Sequence, residues 1–148
     1  MPVFVNKLEI SDDEVHNEMH HHPAPSVEEA RKQASRALII RRLLLEAASQ
    51  KDLVTFDELT TLDKSREESV IERLIEDVIS VPTADDATCK RYYDQHLGRF
   101  EDKNTRDTLP FTLVHNHIKV YLEDKGHMSA LNAYIDDLMD KANIVGLI

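Results

Sequence analysis

The chain has 148 residues, with 28 Asp and Glu against 18 Lys and Arg, and its net charge is −10. Because such a surface repels the phosphates of DNA and RNA, no nucleic-acid partner is expected. A single cysteine, Cys89, excludes an intramolecular disulfide and a multi-thiolate metal site. Without an apolar run of roughly 18 residues or a signal-peptide pattern at its start, the chain is expected to be cytoplasmic, with no membrane partner.

The composition favours a mainly helical domain, and the helix starts and apolar periodicity given below predict an all-α fold of about five helices with a long C-terminal helix. Gly occurs only three times, whereas sheets and barrels need turn residues at short intervals. The opening segment, VFVNKLEI, has two short apolar halves around Asn6-Lys7, and Asn tolerates the left-handed backbone of a tight hairpin. The final segment, NIVGLI, is again short and apolar, so a small sheet between the two ends is expected.

Helix starts are marked by the capping box, in which Ser and Glu satisfy free N–H groups of the first turn. This pattern predicts three starts, at Ser11–Glu14, Ser26–Glu29 and Ser65–Glu68. Prolines at positions 82 and 110 indicate two more. These starts are predicted at Thr83 or Ala84 and at Asp107 or Thr108.

The apolar periodicity predicts where the helices extend and which one is most buried. The second helix, about 26–50, is apolar nearly all round from Ala37 to Leu45, as expected of the central element. The third and fourth are expected at about 65–80 and 84–98, with a loop and one helical turn over 51–64. The last helix is long, and Gly126 after a charged run predicts a kink or short break within it.

Aromatic and aliphatic side chains near the ends of the fourth and last helices form the candidate binding site. Outside the core, they would line an apolar crevice suited to unfolded polypeptide. The alternative is that they are themselves the core. The predicted client-binding residues are Tyr92, Tyr93, Phe100, Phe111, Val114, Ile118 and Tyr121.

Other reactive residues do not assemble into a catalytic or metal-binding pattern. His16 and His20 stand four apart, beside His21 and His22, a spacing suited to Zn²⁺ or Ni²⁺. Because no Cys lies nearby, a native metal site is not expected at these histidines. A metal carrier that uses them is kept as a third hypothesis. His115 and His117, two residues apart, cannot face one metal on a helix. Cys89 fits a small core residue better than a nucleophile, so neither a cofactor nor an enzyme activity is expected.

Four strings in sequence order together resemble one family. They are VNKLEI, EMHHHPAPSVEEARKQASRALIIRRLLLEAA, LIEDVISVPTADDATCKRYYDQHLGRF and LPFTLVHNHIKVYLEDKGHMSALNAYIDDLMDKANIVGLI. They resemble the chaperone region of parvulin-type (PpiC-like) peptidyl-prolyl isomerases, nearest the cytoplasmic branch that includes the nitrogenase-maturation isomerase. The periplasmic chaperone SurA is a more distant relative.

The resemblance also implies what is missing. In that family a parvulin catalytic domain would stand between the segments matching Tyr92–Phe100 and Leu109–Phe111, where this chain has only Glu101–Thr108. No isomerase residue carries over to any position here. The resemblance therefore implies one helical chaperone domain over residues 1–148, in which an N-terminal segment (1–100), a short junction (101–108) and a C-terminal segment (109–148) follow one another.

Two functions follow as hypotheses from this resemblance. The first is a non-catalytic chaperone that binds unfolded or maturing client polypeptides. The second is a dedicated assembly partner of one protein, such as a metalloenzyme. The long terminal helix also suggests a homodimer formed by exchange of segments between protomers.

Overall fold

The computed structural model describes residues 2–146, and these are mostly helical with a small antiparallel sheet. The strands are β1 (Val3–Val5), β2 (Leu8–Ile10) and β3 (Ile144–Val145). The α-helices are α1 (Asp12–Met19), α2 (Val27–Gln50), α3 (Lys64–Val78), α4 (Asp86–Gln95) and α5 (Phe111–Lys141). Single 3₁₀ turns stand at Phe56–Thr60 and Leu97–Phe100.

This architecture confirms the mostly helical fold, the five α-helices within the described residues and the long last helix. The chain divides into two units. The first unit comprises the residues up to Val78 together with those from Ala133 onward, and the second comprises Ile79–Asn132. Helix α5 contributes residues to both. The prediction of one domain stays a prediction, because compact units of one chain need not fold separately.

The small sheet of the first unit has the strand order β2-β1-β3. Asn6 and Lys7 form the β1–β2 turn with φ of 47° and 71°, the left-handed backbone that the sequence predicted. Val5 pairs with Ile144, which confirms pairing between the two ends of the chain. Asn6 reinforces it, since its side chain accepts a hydrogen bond from Asn143 N at 2.9 Å. Leu147 and Ile148 of the predicted segment lie outside the described residues.

Aliphatic side chains of α2 form most of the first unit's core. Ile39 and Ala48 are fully buried, as expected for the most apolar helix. One cluster joins α2 to the sheet, to Val15 of α1 and to the last turns of α5, and another joins it to α3 around Leu74. The predicted helical turn in the 51–64 interval is the 3₁₀ turn, whose Leu59 enters the second cluster.

Two of the three predicted capping boxes are confirmed on their Ser side. Ser11 and Ser26 each accept a hydrogen bond at 3.1 Å, from Glu14 N and Glu29 N. The third prediction is wrong. Helix α3 begins two residues early because the Asp63 carboxylate accepts from Arg66 N at 2.8 Å, so Ser65 lies inside the helix.

The predicted starts of the last two helices are also displaced. Asp85 caps α4 by accepting from Thr88 N at 2.7 Å, one residue beyond the predicted positions. Helix α5 begins only at Phe111, because residues 101–108 are occupied by a hairpin described below. Of the kink or short break expected at Gly126, the break is wrong, as α5 continues through this residue. A Cβ at Gly126 would lie 3.0 Å from Val81 Cγ1, so this glycine permits close packing instead.

Candidate functional surface

The predicted client-binding residues lie together in the second unit, around α4 and the first turns of α5. Tyr93, Val114 and Ile118 are buried, and with Cys89 they form the core of this unit. Tyr92, Phe100 and Phe111 pack against that core and are half-buried. For the three buried residues, the alternative that they belong to the core is confirmed. A client cannot contact them in this conformation.

Ring packing holds this aromatic core together. The Tyr93 ring lies 5.3 Å from Phe100 and 5.5 Å from Phe111, both centroid to centroid, within the range of favourable aromatic pairs. The Tyr93 hydroxyl donates a hydrogen bond of 2.5 Å to Leu109 O, which satisfies the one polar group on this buried ring. The core therefore fixes the segment that leads into α5.

Tyr121 is the predicted residue that remains exposed, at 43%. Its ring lies 5.5 Å from that of Tyr92, whose hydroxyl accepts a hydrogen bond from Arg99 Nη1 at 2.8 Å. A hydrogen bond with Tyr92, and the nearby charges of Lys125 and Arg99, lower the pKa of the Tyr121 phenol. The exposed phenol therefore lies in a locally positive environment.

The outward side of α5 exposes further large apolar side chains. Leu113 is 66% exposed, Val120 57% and Met128 55%. Their spacings of seven and eight residues place them on one side of the helix, with Tyr121 at its margin. We call these four residues the outer face of α5. Their polar neighbours, such as His117 and Asp124, interrupt the face without covering it.

A short hairpin at residues 101–108 lies between the second 3₁₀ turn and α5. Glu101 pairs with Thr108 in an antiparallel bridge, and Leu109 N donates to Phe100 O at 2.7 Å. At the tip, the Asp102 carboxylate accepts from Asn104 N at 2.8 Å. The chain thus leaves the 3₁₀ turn and returns to α5 at adjacent points.

A basic depression lies beside the hairpin and has a volume of about 340 Å³. Three of the four charged residues that line it are cations. Its lining residues are Gly98, Arg99, Glu101, Lys103 and Arg106. The hydrogen bond from Arg99 to Tyr92, and the contact of Tyr92 with Tyr121, connect the depression to the outer face of α5.

The His-rich segment does not gather into a metal site. The rings of His16 and His20 stand 5.7 Å apart, while His22 Nε2 lies 3.1 Å from a Glu18 oxygen. Arg41 approaches the other Glu18 oxygen at 3.5 Å. Within residues 2–146 no group of three or more His, Cys, Asp or Glu side chains is placed to hold a metal ion.

Cys89, His115 and His117 lie in the second unit, and their surroundings differ. Burial raises the pKa of the Cys89 thiol, and the charges of Asp86 and Asp85 raise it further, so the thiolate form is disfavoured. His115 Nε2 lies 2.8 Å from an Asp86 oxygen and its ring lies against Phe111. His117 is exposed. The Cys89 thiol itself lies 4.0 Å from Ala84 O.

Apart from Tyr121, sequence reasoning misses the apolar side chains of the outer face, and it also misses the cations of the depression. Leu113 and Val120 lie outside the stripe assigned to the binding site. Their seven-residue spacing is the available signal, because it repeats on one side of a helix. In the sequence, Lys103 and Arg106 belong to the short junction and Arg99 to the segment before it, and only the structure shows that the three share one depression.

A scan of family models, a search of curated proteins and a search of solved structures each found no match to this chain. Among residues 2–146, none of the helices combines the length and the apolar character that crossing a membrane requires.

Proposed function

We propose that this protein is a non-catalytic chaperone that binds unfolded or maturing polypeptides on the outer face of α5. The observation that carries the proposal is the exposure of four large apolar side chains on one side of that helix. Burial of apolar client surface is worth roughly 25 cal/mol per Å², and ordering costs offset part of it. Binding should therefore be modest and reversible.

The hairpin supports the absence of a catalytic domain. Domain insertions are tolerated where the chain leaves and re-enters at neighbouring surface points. Phe100 and Leu109 are such points, since Leu109 N donates to Phe100 O at 2.7 Å. This geometry is what the resemblance to parvulin-type isomerases implies for a scaffold in which a short loop stands in place of the insertion. The buried aromatic core then serves to hold α5 rather than to contact clients.

Suppression of client aggregation tests the proposal. A model client diluted from denaturant should scatter less light when the protein is present, and Leu113→Ser with Val120→Ser should weaken this effect by about tenfold in the concentration required. Val27→Ser is the matched control, because Val27 is 68% exposed but belongs to the first unit. Equal protection by the double variant, or no protection by the natural chain at several-fold excess, would contradict the proposal.

A prolyl isomerase assay examines the non-catalytic aspect of the proposal separately. The chain should not accelerate cis–trans exchange of a proline-containing peptide above the uncatalysed rate. A clear acceleration that survives further purification would show that a catalytic site exists in this chain.

The second candidate function is a dedicated assembly partner of one protein, such as a metalloenzyme. The basic depression favours it, because fixed charges beside an apolar surface select among partners. Affinity purification followed by mass spectrometry separates the two functions. One stoichiometric partner indicates the dedicated role, whereas a mixed set of unfolded proteins indicates general chaperone activity.

A further inference from the structure

The basic depression is unusual for a chain of this overall charge. The second unit has eight Asp and Glu against seven Lys and Arg, a net charge of −1 out of the chain's −10. Within the unit, Arg99, Lys103 and Arg106 face one depression together with a single acid, Glu101. A ligand in the depression therefore meets a local excess of positive charge.

The cations retain donors for a ligand. Arg99 donates hydrogen bonds to Tyr92 and Tyr121, which leaves other N–H groups of a guanidinium that has five in total. Lys103 and Arg106 are exposed on the hairpin. Carboxylates are the groups that such donors bind best in a polypeptide, because the hydrogen bond is assisted by charge.

The depression and the outer face of α5 are continuous. Tyr121 belongs to the face, and its ring stacks obliquely on Tyr92, the acceptor of the Arg99 hydrogen bond. The same neighbours lower the pKa of Tyr121, which agrees with positive charge at this margin. A bound segment can thus place apolar groups on the face and carboxylates in the depression at once.

We infer that the outer face of α5 binds a peptide segment of another protein in which apolar side chains stand next to Asp or Glu side chains. This inference rests on the proposed function and specifies the chemistry of the client. The apolar side chains would cover Leu113, Val120 and Met128, while the carboxylates would lie against Arg99, Lys103 and Arg106. A second copy is a poorer occupant, because its own outer face is bordered by the same cations rather than by carboxylates.

The direct test compares two labelled peptides by fluorescence anisotropy. Both contain the same leucine-rich run, and one ends in glutamates where the other ends in glutamines. At low salt the glutamate peptide should bind about tenfold more tightly, and the difference should shrink as salt screens the exposed charges. Equal affinities, or tighter binding of the glutamine peptide, would overturn the inference.

Charge reversal on the hairpin locates the effect. Lys103→Glu with Arg106→Glu should weaken the glutamate peptide by about tenfold and leave the glutamine peptide unchanged. Lys32→Glu with Lys64→Glu makes the same change of net charge at exposed lysines of the first unit, and it should weaken binding far less. If the double variant folds poorly, Lys103→Glu alone changes only one exposed side chain. Its affinities for the glutamate and glutamine peptides can then be compared in the same way.

Failure of the inference can be told apart from failure of the proposed function. If both peptides bind equally and Val120→Ser weakens both, the face binds clients but the acidic preference is wrong. If neither peptide binds and aggregation is not suppressed, the proposed function fails and the inference fails with it. A dimer in sedimentation that Val120→Ser abolishes would show that a second copy occupies the face.

Discussion

The two units of this chain differ in charge and in what they expose. The first unit has a net charge of −9 and an aliphatic core built on α2. The second unit has a net charge of −1, an aromatic core and an exposed apolar helix face beside a basic depression. A strongly acidic surface keeps a protein soluble, whereas a nearly neutral surface with apolar groups favours association. The contrast agrees with the proposal that recognition belongs to the second unit.

Truncation of the aromatic-lined core should give the largest effect. Ile118 is 2% exposed, and Ile118→Ala should lower the free energy of unfolding by about 2–5 kcal/mol because it leaves a cavity. Tyrosine fluorescence during denaturation measures this, since three of the four tyrosines belong to the second unit. Ile118→Val is the milder control, at about 1 kcal/mol.

A matching truncation in the first unit tests whether the two cores are distinct. Leu74→Ala removes a fully buried side chain from the α2–α3 cluster. It should cost a similar amount, with amide hydrogen exchange rising mainly in the first unit. Identical exchange patterns for Leu74→Ala and Ile118→Ala would show that the two units open together and would remove the basis of the comparison.

The start of α3 gives an effect of intermediate size within the first unit. Asp63→Ala should cost about 1 kcal/mol because it removes the side-chain acceptor for Arg66 N. Ser65→Ala should change stability by less than about 0.5 kcal/mol, since Ser65 does not cap the helix. Chemical denaturation measures both. A larger loss for Ser65→Ala than for Asp63→Ala would restore the capping box that the sequence predicted.

The smallest expected effect is a difference in acid sensitivity between a helix cap of the second unit, Asp85, and one of the first unit, Ser26. Hydrogen bonds from Thr88 lower the pKa of Asp85, so its stabilising contribution is present above the ordinary Asp pKa and is lost as pH falls through the folded-state pKa. The protection factor of the Thr88 amide, which is its exchange rate relative to the intrinsic rate at the same pH, should therefore fall as pH drops below the ordinary Asp pKa. The Glu29 amide, which Ser26 caps, should lack this step because Ser does not titrate. An equal step at both amides would contradict the assignment.

The sequence predicted correctly those helix starts that depend only on residues of the same helical turn. Ser11 and Ser26 start helices because their acceptors serve the same turn. The predicted start at Ser65 was wrong because a competing acceptor, Asp63, lies two residues earlier. Such competition depends on which turn packs against the rest of the unit, and a pattern of four residues does not contain that information.

The candidate site was only partly predictable for a related reason. Helix α5 has apolar residues on more than one side, so periodicity alone does not decide which side the core takes. Packing against α4 buries Val114 and Ile118 and leaves Leu113 and Val120 exposed. The hairpin was hidden as well, since Arg106 adopts φ of 61° without the glycine that normally signals a left-handed position.

The pairing of β1 with β3 has a consequence for the order of synthesis. The Asn6–Asn143 hydrogen bonds span 137 residues, and the second unit is contiguous between the two segments of the first. A ribosome therefore releases every residue of the second unit before the segment that completes the sheet. Val5 and Ile10 are both buried in the finished fold. During translation the sheet that contains them stays incomplete until β3 has been synthesised. A nascent protein of this design completes the proposed binding surface first and pairs β1 with β3 last.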